Sequence, residues 1–143
     1  MGTTPRERIA AAVRDFLAFL ENKDIDSWIR LWDPDGEQYY PYGTEMFPPY
    51  IAGRDAVHER WKSLPDMFES LSFPLLELWI DGDTAIARFD GHLVKKDGTV
   101  YRNSYICTFT FTAAGLISRY REYFDPILAG AAFGLAETTY LSS

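Results

Sequence analysis

The sequence predicts an α+β fold, with helices packed on one face of a curved antiparallel sheet, and three observations carry that prediction. Near the N-terminus Ile9, Val13, Phe16, Leu17 and Leu20 recur at helical spacing. From Leu71 onward four strand-like stretches follow one another in hairpin spacing. The last of these, from Leu116 to Pro126, alternates strictly, with Ser118, Tyr120, Glu122 and Phe124 on one face and Ile117, Arg119, Arg121 and Tyr123 on the other. Helices grouped first and strands grouped after them define the class.

In chain order, Thr4 is placed to cap the first helix, Pro5 suits its first position, and Glu7 completes a Thr-x-x-Glu capping box. A short second helix begins near Asp24, turns Ile25, Trp28, Ile29 and Trp32 inward, and stops at Asp33-Pro34-Asp35-Gly36. Gln38, Tyr39 and Tyr40 form a short strand, in which only one of two consecutive tyrosines can face a given side. Residues 44–52, with Pro48 and Pro49 among aromatic neighbours, form an irregular loop able to flap over a site. A third helix follows Gly53, with Ala56, Val57, Trp61 and Leu64 inward, His58 outward and Pro65 near its end. The four strands are Leu71 to Ile80, Thr84 to Lys95, Val100 to Thr112 and Leu116 to Asp125, joined by Asp81-Gly82-Asp83, Lys96-Asp97-Gly98 and Ala113-Ala114-Gly115. Pro74 marks an edge or a bulge in the first of them. The tail after Pro126 has one weak amphipathic patch, suited to covering the mouth of the sheet or a neighbouring subunit.

Composition bounds the function. The 143 residues fit one domain, 1–143, with a core and a ligand cavity. A net charge of −7 argues against nucleic acid and anionic membranes, both of which are bound through clustered Lys and Arg. The apolar runs are too short to span a bilayer and the start MGTTPRERIA lacks a secretory core, so a cytoplasmic location is expected. One cysteine, Cys107, and two histidines, His58 and His92, make a structural zinc improbable. Aromatic residues reach 16%, more than a small core needs, which suggests rings lining a cavity; oligomer contacts account for them equally well.

Two groups of residues carry candidate chemistry. Glu122 shares a strand face with Tyr120 and Phe124, and a carboxylate among rings loses hydration and gains a raised pKa suited to proton transfer near neutrality. An edge strand with a wet, charged face gives the same alternation. Arg88, Asp90 and His92 are spaced by two, on the face opposite Ala87, Phe89, Gly91 and Leu93. An Arg beside an Asp holds a carboxylate ionised inside a protein, although alternating polar residues equally describe a solvated sheet face. On the next strand Asn103 and Tyr105 are placed to orient a ligand oxygen or to satisfy one another.

The order of elements, the segment Gly53-Arg54-Asp55-Ala56-Val57, the Arg88-Phe89-Asp90 strand and the closing Arg121-Glu122-Tyr123-Phe124-Asp125 resemble the SnoaL-like branch of the nuclear transport factor two-like superfamily, over nearly the whole chain. The resemblance implies a cystatin-like cone whose curved sheet and concave-face helices enclose one deep pocket. Relatives include isomerases, cyclases, epoxide hydrolases, biosynthetic accessory proteins and non-catalytic binders, so the fold alone does not name a reaction. Limonene-epoxide hydrolases are similar at Arg88, Asp90 and Glu122. There the last-strand carboxylate activates water, the Arg holds both carboxylates and the middle-strand Asp protonates the epoxide oxygen. Here Glu stands for Asp, and Gln38 and Tyr40 stand where that family uses Tyr and Asn. Phenazine biosynthesis A/B proteins are similar at Phe89-Asp90-Gly91, at Asn103 and Tyr105, and at Arg121 to Pro126, and their matching Glu is an acid/base group. Their pocket histidine, by contrast, is Arg54 here. Ketosteroid isomerases place an Asp base near the position of Tyr40.

These readings together give an expectation of a cofactor-independent, metal-free enzyme of secondary metabolism that opens an epoxide by water or by an internal hydroxyl. Glu122 is the expected base, Asp90 the acid, with His92 as its alternative, and Arg88 the group that fixes the pair inside a common pocket. Trp28, Trp32, Tyr40, Leu64, Phe68, Asn103, Tyr105, Tyr120 and Phe124 are the expected lining around a small hydrophobic or aromatic metabolite. The alternatives are a polyketide cyclase, isomerase or phenazine-type acid/base enzyme, and a non-catalytic binding protein. A homodimer is expected through an outer sheet face offering Phe89, Leu93, Arg119, Arg121 and Tyr123.

Overall fold

The protein is described by a computed structural model over residues 4–142. Helix α1 (Pro5–Glu21) starts as expected: the Thr4 hydroxyl accepts the Glu7 amide at 3.1 Å and Pro5 occupies the first turn. It buries Ile9, Val13, Phe16, Leu17 and Leu20 on one face. Asp24 caps α2 (Ile25–Ile29) by accepting the Ser27 amide at 3.1 Å. Trp32 is not on this helix. It opens strand β1 (Trp32–Tyr39), and Asp33 to Gly36 form the irregular start of that strand, where pairing slips between Trp32 and Glu37. Gly36 is required there, because a Cβ would stand 2.9 Å from the Ile117 carbonyl oxygen.

Strand β2 (Tyr50–Ala52) lies where the sequence suggests loop; it pairs antiparallel with β1, too short to show a period. The expected third helix is two pieces, α3 (Arg54–Trp61) and α4 (Leu64–Met67). Pro74 splits the first expected strand into β3 (Phe68–Ser72) and β4 (Leu75–Asp81), because a residue without an N–H interrupts the ladder. Both halves pair with the long strand β5 (Thr84–Lys95). Strands β6 (Val100–Phe111) and β7 (Ile117–Tyr123) complete the antiparallel meander, and helix α5 (Pro126–Ala132) follows.

The sheet order is β2-β1-β7-β6-β5-β3, with β4 also on β5, and β1 runs parallel to β7. Cross-strand register fixes which residues share a face. Ala87, Cys107 and Glu122 form one row across β5, β6 and β7, while Arg88, Ile106 and Tyr123 form the next. Because successive residues alternate between faces, the first row points into the cone and the second out of it. A shift between Thr110 and Phe111 turns Ile117 inward as well, a departure from strict alternation that buries it completely.

Phe16 of α1 packs on Phe109 and Tyr120 of the concave face with ring centroids 5.0 Å apart in each case, and Trp28 and Trp32 close around it. This aromatic cluster is the narrow end of the core, and it accounts for part of the aromatic excess. Among the described residues no helix is long and apolar enough to cross a membrane.

Candidate active site

Above that cluster the cone holds a cavity of about 320 Å³. Its floor is Phe16, Leu20 and Tyr120, one wall is Phe89, Leu93, Tyr101, Tyr105 and Glu122 of the sheet, and the other is Arg60, Trp61, Leu64 and Met67. Tyr40, Phe47, Phe124, Ala129, Phe133 and Leu135 cap it. The cap is held by edge-to-face ring contacts of Phe47 with Phe124 and Phe133. The other inward residues of β5, Ala85, Ala87 and Gly91, are small and buried on the concave face. An added Cβ at Gly91 would come within 2.7 Å of Tyr105 Cε2, so the glycine is what lets that ring lie against β5.

Glu122 is the one carboxylate lining the cavity among the described residues. Burial raises its pKa to about 7; a hydrogen bond from Tyr120 and the Arg60 charge oppose that rise without cancelling it. The partial exposure of Glu122 is exposure to the cavity it lines. The Tyr120 hydroxyl donates to Glu122 Oε1 at 2.7 Å and lies 3.1 Å from Cys107 Sγ. Burial pushes both the Tyr120 phenol and the Cys107 thiol well up, so these two stay neutral and Glu122 is the member of the trio that changes charge near pH 7. Such a group can exist in either protonation state during a reaction cycle.

A second polar cluster lies farther up β6. Asn103 Oδ1 accepts the Ser104 and Asp125 amides at 2.9 and 3.0 Å, which leaves Nδ2 to donate to the Asp125 carbonyl and the Tyr101 hydroxyl. Tyr105 donates to the same Tyr101 oxygen at 3.2 Å. Burial is the first cause raising the Tyr101 and Tyr105 pKa values, and both remain neutral phenols.

Of the lining expected from sequence, the structure brings Tyr40, Leu64, Tyr105, Tyr120 and Phe124 to the cavity. Trp28, Trp32 and Phe68 are completely buried in the core behind it, and Asn103 is occupied in the wall. The expected trio with Glu122 does not form. Arg88, Asp90 and His92 point out of the cone: Arg88 pairs with Glu77 at 2.8 Å on the convex surface, Asp90 accepts from Ser104 Oγ at 3.3 Å, and His92 is exposed. The cause is the register above, which sends the odd-numbered residues of β5 inward; Phe89 and Leu93 are buried rather than offered to a partner. The solvated-face reading of the Arg-x-Asp-x-His pattern is the one that holds.

Arg60 and Tyr101 also line the cavity, and sequence reasoning passed over both. Both had a signal. Tyr101 precedes Asn103 by two and so shares its face, and Arg60 follows Val57 by three on α3. Among the described residues no three His, Cys, Asp or Glu side chains gather as a metal site would require.

The curved sheet, the helices on its concave face and the single-carboxylate cavity define a nuclear transport factor two-like α+β cone. The chain belongs to the SnoaL-like domain family, which residues 13–120 match. It is 36% identical over 132 residues to the uncharacterized protein YesE of Bacillus subtilis (strain 168), covering 90% of this chain and 88% of that protein. Among solved structures it is similar to a putative isomerase from Bacillus subtilis, with a TM-score of 0.80 and 31% identity over 94% of this chain and 98% of the other. A phenazine biosynthesis-related protein from Pseudomonas aeruginosa shares the fold at a TM-score of 0.76 and 17% identity, over 99% and 92% of the two chains.

Proposed function

We propose that this protein is a small-molecule enzyme of secondary metabolism, of isomerase or cyclase type, that moves a proton on a compact, largely apolar ring substrate with Glu122 as its acid/base group. The observation that carries this reading is a solitary carboxyl in an aromatic cavity, hydrogen-bonded to Tyr120 and with a pKa of about 7. A carboxylate with that pKa abstracts a proton at neutral pH and returns it from the same atom, so one residue suffices for a shift of a double bond or for the proton removal that starts a ring closure. The cavity volume, at the lower end of the range of about 300–1,000 Å³ for ligand pockets, suits a metabolite of a few rings. The similar protein from Bacillus subtilis, a putative isomerase, agrees in reaction class.

Epoxide opening, the reaction the sequence pattern favoured, keeps its base in this cavity but not its acid, since Asp90 and Arg88 lie outside the cone. An epoxide would have to take its proton from a phenol. Proton transfer at carbon asks for nothing the cavity lacks, and for that reason it stands first. No step in it calls on a metal or an organic cofactor, and a cytoplasmic site of action goes with a metabolite substrate. The proposal includes a homodimer, formed through the convex face that presents Trp79, Ile86 and Ile106 in adjoining rows. A mass of one chain by light scattering at micromolar concentration removes that part.

The test of the catalytic reading needs no natural substrate. Conjugated bicyclic ketones in deuterated water exchange their acidic carbon-bound protons when a base acts on them, and nuclear magnetic resonance follows the exchange. The protein should accelerate exchange for those that fit, and Glu122→Gln should lower the rate by roughly two to four orders of magnitude. Equal rates in the two proteins, with ligand still bound, describe a binding protein instead.

A further inference from the structure

Among the described residues the cavity is lined by one cation as well as one carboxylate, and the cation is Arg60, in the last turn of α3 and exposed at the mouth. Arg6, Arg14, Arg54 and Arg88 each donate to a protein oxygen, whereas Arg60 has neither such a bond nor an ion pair among the described residues. The sequence explains why. Three and four positions away stand Ala56, Val57, Ser63 and Leu64, so no acid lies where a helical ion pair would form. The adjacent Glu59 is taken by Lys62 at 2.8 Å. A cation in the last turn of a helix complements the helix dipole wherever its side chain points, so that role does not account for a place in the cavity wall. Ser63 lines the same rim, and its hydroxyl caps no helix. The backbone beneath them is fixed by Trp61, which donates from Nε1 to Oε1 of the fully buried Gln38 at 2.9 Å and packs on Trp28 with centroids 4.9 Å apart. Burial raises the pKa of Glu122 and of Tyr40, and the Arg60 charge is among the causes that oppose the rise in both, so it acts on the cavity interior as well as on solvent.

We infer that Arg60, with the Ser63 hydroxyl beside it, is the subsite for a carboxylate on the substrate, and that the substrate is a ring metabolite that carries such a group at the end nearest the mouth. The inference rests on the proton-transfer reading of Glu122 and adds the substrate class. A guanidinium presents two parallel N–H donors that match the two oxygens of a carboxylate, and a neighbouring hydroxyl can donate to either of them. The location suits the charge. A carboxylate carried to the aromatic interior would lose its hydration, whereas one paired with Arg60 at the rim keeps one side in water while the rings enter the cavity. The number of charges selects among anions. One guanidinium neutralises one negative charge, and a phosphate monoester carries about two near neutral pH, in a chain whose net charge is already −7. The pairing also sets direction: with its anionic end held at the mouth, the ligand turns its opposite, apolar part toward the Glu122 wall and the Phe16 and Tyr120 floor.

The probes are 2-naphthoate and 2-naphthamide, which share rings and shape and differ in charge; binding is read by fluorescence titration at pH 8. Wild type should prefer the anion, and Arg60→Gln should reduce that preference roughly five- to tenfold while leaving 2-naphthamide affinity within about twofold. Arg60→Lys, which keeps the charge and loses the fork, should retain part of it. The preference should also shrink between about 0.01 M and 1 M salt, as screening shortens from about 30 to 3 Å. A wild type that binds the two probes equally overturns the subsite, and so does an Arg60→Gln protein that weakens both together, which describes a residue that only supports the wall. Tighter binding of 2-naphthyl phosphate than of 2-naphthoate overturns the choice of carboxylate. Glu122→Gln separates this inference from the reading beneath it. Anion preference that survives in Glu122→Gln and falls in Arg60→Gln supports the subsite even if deuterium exchange fails; preference lost in Glu122→Gln means that the Glu122 carboxyl holds the anion, and the subsite is wrong.

Discussion

Tyr120 donates its phenolic proton to Glu122 Oε1 at 2.7 Å, and its ring is locked by Phe16, Trp32 and Phe109 in the narrow end of the core. The position of the Glu122 carboxyl is thus set by a residue packed against three rings of the core. The bond stabilises the carboxylate, which is why it opposes the effect of burial on Glu122. Tyr120→Phe removes it. The pKa of Glu122 should rise above about 7, and the limb of the rate profile that reports deprotonation should move to higher pH, with loss of rate greatest at neutral pH and least on the alkaline side. A pH profile of proton exchange checks this, and a limb that stays in place removes Tyr120 from the site. Arg60→Gln should move the limb in the same direction by less, and less again at high salt, because Arg60 is exposed at the mouth.

The same carboxyl makes folding stability depend on pH. Its pKa is raised from 4.5 to about 7 on folding, so between those values the folded chain holds a proton that the unfolded chain has released. Stability from this group is fully present below about pH 4.5 and is lost as pH rises to about 7, a decline on the order of 3 kcal/mol at most. Glu122→Gln has no such decline. Urea midpoints at pH 5 and pH 8 should therefore show the variant gaining on wild type as pH rises, and parallel profiles for the two proteins would mean that Glu122 is not desolvated.

Residues whose neighbours in sequence decide their fate were legible; residues whose fate depends on a distant strand were not. Thr4 and Pro5 cap α1 as read, and the apolar stripe from Ile9 to Leu20 is buried because a helix start and a helical period are local properties. Glu122 was found on the same basis, since alternation on one strand places it with Tyr120 and Phe124. Alternation says which residues share a face but not which face is inside. That is settled by register, and on β5 it places Ala87, Phe89 and Leu93 inward, leaving Arg88, Asp90 and His92 to the outer surface. The hydrophobic content of the first set was the correct guide. Trp32 was lost to a helix for a related reason: its burial comes from pairing opposite Ile117 of β7, some eighty-five residues later.

The outward placement of Arg88, Asp90 and His92 has a direct consequence. Arg88→Ala, Asp90→Asn and His92→Gln should each leave proton exchange and its pH profile unchanged. Stability should shift by about 0.5 kcal/mol or less, the usual size for a surface site, even though Arg88 loses its partner Glu77, because exposed ion pairs contribute little. A tenfold or greater loss of rate in Asp90→Asn would mean that the strand faces the other way and would restore the epoxide mechanism.

Gly91 offers the most demanding test of the cavity wall. It sits on the concave face of β5 opposite Asn103 of β6, with Tyr105 leaning across it. A methyl group there would stand 2.7 Å from Tyr105 Cε2, 3.2 Å from Leu93 Cδ1 and 3.5 Å from Phe73 Cε1. Tyr105 cannot retreat toward β5, since it already stacks on Phe89, so in Gly91→Ala its ring must swing into the cavity and its hydroxyl must part from Tyr101. Overpacking of this kind costs on the order of 1–3 kcal/mol, and thermal unfolding should register it. Affinity for naphthalene, read by fluorescence titration, should fall as the space shrinks. Glu122 lies beyond the disturbed ring and is anchored by Tyr120, so the apparent pKa of about 7 should survive in the variant. A Gly91→Ala protein that binds naphthalene as wild type does would show that Tyr105 is not held in the wall as described.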